Sequence, residues 1–250
     1  MLPGKARKTL LSSLLLGASL VVLSVRPASS DGSSVQEFEP TDAYSRETIE
    51  GWPIRLNKRF RQHDERLCTE TLDLLRQQLY LITRNLPPAA VDKLRKVTIW
   101  VEEAEPHHSC MCYHPDPGWL REHDMNPDKA RSVELANARN FLSWTKDQPW
   151  MVFHELAHAY HHQFLDDGFD NKDVRRAFER TQAAKNYESV LHINGRHERH
   201  YALTNPQEYF AESSEACFGT NDFYPFVRSE LKEADPDGCA LVERLWGKRS

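Results

Sequence analysis

The sequence predicts one α+β domain across residues 49–250, a small mixed sheet accompanied by several helices. Three observations point there: apolar residues recur at helical steps in long stretches, short β-branched runs lie between them, and no segment repeats at a fixed period. A chain of 250 residues with 40% hydrophobic content is enough for one well-packed core, or at most two small ones. Charged residues make up 28% and the mean hydropathy is -0.66, which excludes a membrane bundle and a disordered chain. Against 37 acidic residues stand 32 basic ones, a formal charge of -5, so no nucleic-acid partner is expected.

Residues 1–30 read as a secretory signal. Lys5, Arg7 and Lys8 precede an apolar run from Leu10 to Val25, and Ala28 and Ser30 offer a small-residue cleavage site. The run is short for a membrane span, so no membrane association is expected once it is removed. The chain is therefore expected to be secreted or extracytoplasmic. Residues 31–48 are polar and unpatterned and read as a flexible N-terminal segment. All five cysteines (Cys68, Cys110, Cys112, Cys217, Cys239) follow the signal, where disulfides are allowed, and an odd count leaves at least one outside any internal pair. No Asn-x-Ser/Thr site is present.

The elements follow in order. "TIEGWPIRL" (48–56) reads as a short strand whose proline suits a sheet edge. From about Arg59 to Asn85 the apolar positions Leu72, Leu75, Leu79, Ile82 and Leu86 recur at steps of three and four, one long helix ended by Pro87-Pro88. "VTIWVE" (97–102) is a strand. Residues 104–129, rich in Pro, His, Asp and Gly, read as a surface loop. Its "HHSCMCYH" (His107, His108, Cys110, Cys112, His114) lacks a standard zinc spacing and is read as a loop with structural cysteines. "RSVELAN" (131–137) alternates like a half-exposed strand. A helix then carries "MVFHELAHAYHH", with Asp147 as cap, Pro149 in the first turn and Gly168 at the end. Val174, Ala177 and Phe178 mark another. Asn194-Gly195 signals a hairpin within 187–203, "TNPQEYFAESSEACF" (204–218) opens as a capped helix, and a last helix lies between Pro225 and Trp246.

The chemistry centres on H-E-x-x-H. Residues four apart share a helix face, so His154 and His158 point together with Glu155 beside them, two imidazoles for a zinc ion and a carboxylate for its water. His161 and His162 do not complete that face. A catalytic zinc needs a third protein ligand. The extended pattern ending x-x-G-x-x-H fails, because 161 is His and 164 is Phe. Asp222 has unsuitable spacing, and His192, His197 and His200 remain options. Glu208, one turn before Glu212 on the downstream helix, is preferred. With Asn205 as cap, Glu208 could close a capping box; with Thr204 as cap it stays free for metal.

"HYALTNPQEYFAE" (200–212) resembles the catalytic signature of the anthrax lethal factor family of zinc endopeptidases, matching at Tyr201, Thr204, Asn205, Glu208, Tyr209, Phe210, Ala211 and Glu212. The resemblance covers roughly 97–226 and is strong at 150–164 and 200–212. It departs at Ala157, where the family has Gly, and the toxin's delivery and docking domains have no counterpart, so its targets do not carry over. It implies a zincin-like domain of the gluzincin type holding one zinc ion per chain on His154, His158 and Glu208. It further implies that Tyr201 is an oxyanion donor, that Glu212 orients a ligand histidine, and that Glu155 is the base. The function expected is endopeptidase cleavage of a peptide or protein substrate, laid along "RSVELAN" as an edge strand. A catalytically silent zinc-binding module and a zinc hydrolase of non-peptide amides are the alternatives. Oligomeric state is not legible.

Overall fold

A computed structural model describes residues 38–247. The signal expected at 1–30 lies outside the described residues.

After a 3-10 turn at Thr41–Ala43 the chain enters β1 (Tyr44–Ile49) and returns antiparallel as β2 (Trp52–Asn57). The expected flexible segment is therefore strand from residue 44 onward. Glu50 and Gly51 turn the corner with φ of 51° and 89°, the left-handed pair that a two-residue hairpin demands. β1 covers the side of β2 where Pro53 was expected to face an open edge. Pro53 is still accommodated, because the ladder from β2 to the next strand begins only at Ile54.

The long helix is broken. α1 (Lys58–His63) stops at Asp64, whose carboxylate accepts the Leu67 N–H and starts α2 (Glu65–Asn85). α2 buries Leu72, Leu75, Leu79 and Ile82, the predicted stripe. Pro88 then opens α3 (Pro88–Leu94), which leads into β3 (Ile99–Val101).

The expected loop at 104–129 contains β4 (Met111–His114) and α4 (Pro117–Glu122). β5 (Ser132–Leu135) follows and is wholly buried. It lies between β3, which it joins parallel, and β4, which it joins antiparallel; the sheet order is β1-β2-β3-β5-β4. "RSVELAN" is thus an inner strand and β4 is the edge. The alternation read as half-exposure has another cause. Val133 faces the helices, whereas Ser132 and Glu134 are buried on the opposite face, where Lys129 and His114 meet Glu134.

α5 (Ala138–Trp144) precedes α6 (Met151–Phe164), which packs against α2, α3, β4 and β5. Its N-cap is Trp150, without a side-chain cap bond, so Asp147 and Pro149 lie upstream; Gly168 belongs to a separate 3-10 turn. α7 (Lys172–Ala184) leads to the hairpin β6 (Val190–Leu191) and β7 (His197–Glu198), with Gly195 at φ 85° in its turn. α8 (Pro206–Phe218) packs on α6, and two helices rather than one finish the chain: α9 (Arg228–Ala234) and α10 (Pro236–Trp246). Among the described residues no helix is long and apolar enough to cross a membrane.

Candidate metal centre and its cavity

α6 and α8 run antiparallel in contact: Trp150 meets Gly219, His154 meets Glu215, and His161 meets Phe210. At Gly219 the approach is so close that a Cβ would stand 2.2 Å from the Trp150 ring. This crossing faces the two histidines of α6 toward the first turn of α8. The Nε2 atoms of His154 and His158 lie 3.0 Å and 3.3 Å from one oxygen, Oε2 of Glu208.

Glu208 reaches that position as the third residue of α8. Asn205 is the cap, its side-chain oxygen accepting the Glu208 N–H at 2.8 Å, and Pro206 occupies the first turn. The Glu208 carboxylate does not turn back to close a capping box; it extends to the histidines. Burial would raise its pKa, but hydrogen bonds from His154 and His158 hold it well below the carboxylate range.

Behind the histidines stands a wall of acids. Glu215 Oε1 lies 2.6 Å from His154 Nδ1, whereas Glu212 Oε1 lies 3.6 Å from it. The orienting contact expected of Glu212 is thus made by Glu215. The sequence carried a signal for it, since Glu208, Glu212 and Glu215 step by four and three along one face of α8. Burial, with the charges of Glu215 and Asp222, pushes Glu212 well above the carboxylate range. Glu215 is pushed by burial to about 7 against the pull of His154. His200, fully buried, accepts the Ala202 N–H on Nδ1 and is lowered to about 3 by burial. His192 lies 3.6 Å from Asp222, and His197 stands exposed on β7. None of these joins the group formed by His154, His158 and Glu208, whose donor atoms all lie within 4.8 Å of one another.

These residues line a cavity of about 780 Å³, in the range of ligand pockets, about 300–1,000 Å³. Glu155 projects into it from α6 and makes no hydrogen bond or ion pair among the described residues. Tyr201, 47% exposed, borders it with its ring centroid 6.4 Å from that of His154. Burial and the charge of Glu208 raise the Tyr201 phenol, so it remains a donor at neutral pH. The edge strand β4 forms one wall through Met111 and Tyr113, and Trp144, Phe169 and Phe223 add apolar surface.

The donor set fits zinc. Nitrogen and carboxylate oxygen are its usual ligands, and three from the protein leave room for a reacting group. His154 turns Nδ1 to Glu215 and Nε2 to Glu208, so both ring nitrogens face carboxylate oxygens. These carboxylates favour the protonated imidazole, and a metal cation bound to Nε2 would take the place of that proton.

No protein-family model matches the chain, and no curated protein does. Among solved structures it is similar to a Pro-Pro endopeptidase from Paenibacillus alvei, at 16% identity and a TM-score of 0.39, over 71% of this chain and 90% of that one. A likeness so distant carries neither fold nor activity across.

Proposed function

We propose that the protein is a zinc-dependent endopeptidase of the lethal-factor-like kind, acting outside the cytoplasm. One observation carries the reading: His154, His158 and Glu208 converge on a single point inside a cavity where the Glu155 carboxylate is left without a partner. The signature shared with that family at 200–212 supports it.

His154, His158 and Glu208 would hold the ion, and Glu215 fixes the ring of His154 from behind. Bound there, zinc supplies Lewis acidity toward water and a carbonyl oxygen. Glu155 takes a proton from the attacking water and returns it to the departing amine. Tyr201 donates its hydroxyl hydrogen to the oxygen that gains negative charge. A peptide lies extended against β4, whose outer edge is open and which lines the cavity, and its side chains meet Trp144 and Phe223. The residues 1–30 direct the chain across a membrane for export.

The test is mass-spectrometric cleavage of a diverse peptide library by the zinc-loaded protein beside Glu155→Gln. The variant is expected to lose about 10²–10⁴-fold in rate while keeping its zinc. Tyr201→Phe is expected to lower kcat by about 10²–10³-fold with KM little changed. Cleavage of small non-peptide amides alone points to the other hydrolase, and zinc uptake without any turnover points to a silent binding module.

A further inference from the structure

A second histidine-bearing cluster lies on the far face of the sheet. Tyr113 of β4 points toward α6, where its hydroxyl meets His162 at 2.8 Å. Side chains alternate along a strand, so Cys112 and His114 point the other way, toward the same face as Glu134 of β5. That face is roofed by the chain before β4, which brings in His108, and by α4, whose Trp119 lies 6.0 Å from the His108 ring.

Four observations single out this cluster. The donor atoms of His108, Cys112 and His114 all lie within 4.8 Å of one another. His108 Nε2 is buried and has no hydrogen-bond partner, which is costly for an imidazole unless something else occupies it. Cys112 Sγ lies 3.4 Å from His114 Nε2. Two zinc ligands at the usual bond lengths, about 2.3 Å to sulfur and about 2.0 Å to nitrogen, stand about 3.5 Å apart at a tetrahedral angle. Lastly, a carboxylate is at hand, since Glu134 Oε2 lies 2.6 Å from the same His114 nitrogen.

We propose that His108, Cys112 and His114 form a second, structural metal site, taking a zinc-like divalent cation with Glu134 as the fourth donor. The thiolate and imidazole donors select a borderline ion of that class over magnesium or calcium. On binding, Cys112 gives up its thiol proton to solvent, and the His114 nitrogen exchanges its hydrogen bond to Glu134 for the cation as the carboxylate moves in beside it. The ion ties three things together: the segment before β4, the edge strand β4 itself, and the inner strand β5. Its place is the back of the wall that bounds the cavity. The spacing His-x3-Cys-x-His escapes the usual zinc patterns because it is written on a strand, where alternate residues share a face, rather than on a knuckle.

Cobalt reports on this site separately from the first, whose donors His154, His158 and Glu208 include no thiolate. The full chain is stripped of metal and titrated with Co²⁺ while the thiolate-to-cobalt charge-transfer band in the near ultraviolet is followed. The band is expected to saturate at one cobalt per band-forming site in the wild type and in Glu208→Gln. It is expected to vanish in Cys112→Ala and to need at least about tenfold more cobalt in His108→Ala. Absence of the band in wild type that is folded by circular dichroism overturns the proposal. A band that persists undiminished in Cys112→Ala comes from another cysteine, such as Cys217 or Cys239 near Glu243, and overturns it too. Because Glu208→Gln keeps the band, failure of the proposed peptidase centre leaves this result readable.

Discussion

Two buried groups of charges lie on opposite sides of the sheet, and they are built on opposite plans. On the far side, Glu102 and Glu134 share one cation: Lys129 Nζ contacts both, while Tyr44, Asn57 and His114 supply the remaining hydrogen bonds. Burial acts against Lys129, but the two carboxylates more than restore its charge and raise it. On the helix side, Glu208, Glu212, Glu215 and Asp222 face histidines alone, and no Lys or Arg among the described residues pairs with any of them. The first group brings a cation of its own and ties neighbouring strands together. The second crowds carboxylates into a cavity without a Lys or Arg beside them, an arrangement relieved by protons, which Glu212 and Glu215 hold more tightly than an ordinary carboxylate does, or by a bound cation. One group holds a lysine among its carboxylates and the other holds none.

The largest effect that would break this contrast is on the first group. Lys129→Met leaves two buried carboxylates without their cation and is expected to cost about 3–5 kcal/mol in urea unfolding. A loss below about 1 kcal/mol would show that Lys129 does not stabilise the two carboxylates and that the two groups are alike.

Next comes the site. Glu215→Gln removes the carboxylate that holds His154 Nδ1 and is expected to weaken zinc binding about 10–100-fold, measured by competition with a chromophoric chelator. It should leave the metal-free protein as stable as before, since one of several crowded acids has been made neutral. Unchanged affinity would mean that Glu212, at 3.6 Å, carries the orienting role after all.

The smallest effect sharpens the comparison with pH. His161 is fully buried between Phe169 and Phe210 with neither ring nitrogen bonded, and burial, aided by His158 and His162, lowers it to about 3. Its folded value lies below its unfolded one, so its contribution is present above pH ~6.5 and is lost as pH falls from there toward its folded value. The slope is at most about 1.4 kcal/mol per pH unit. His161→Phe should remove it, leaving the similar loss that His200 supplies; identical acid-unfolding curves for the two proteins would refute the assignment.

What could be read from the sequence followed the range of each signal. His154, Glu155 and His158 sit on one helix, where spacing alone sets geometry, and Glu208 was legible through its neighbours at 200–212. Glu215 was not distinguishable from Glu212 in the same stripe, because only the crossing of α6 and α8 decides which of them meets His154. Sheet order was harder. The polar alternation in β5 looks the same whether Glu134 faces water or a buried lysine, and only Lys129, Glu102 and His114, brought from other segments, tell the two apart. For the same reason β4 was hidden inside "HHSCMCYH", a four-residue edge strand among residues with turn preferences. Asp64 broke a continuous apolar stripe by a local cap that periodicity does not register.

Gly219 acts as a mechanical stop. The three donors come from two separate bars, two from α6 and one from α8, and the gap between the bars is gauged where Trp150 rests on bare backbone, a single turn ahead of His154. Any side chain at 219 is a shim in that gap. It would spread the jaws at the end nearest the histidines, so the calibre of the site is set by a residue that takes no part in its chemistry.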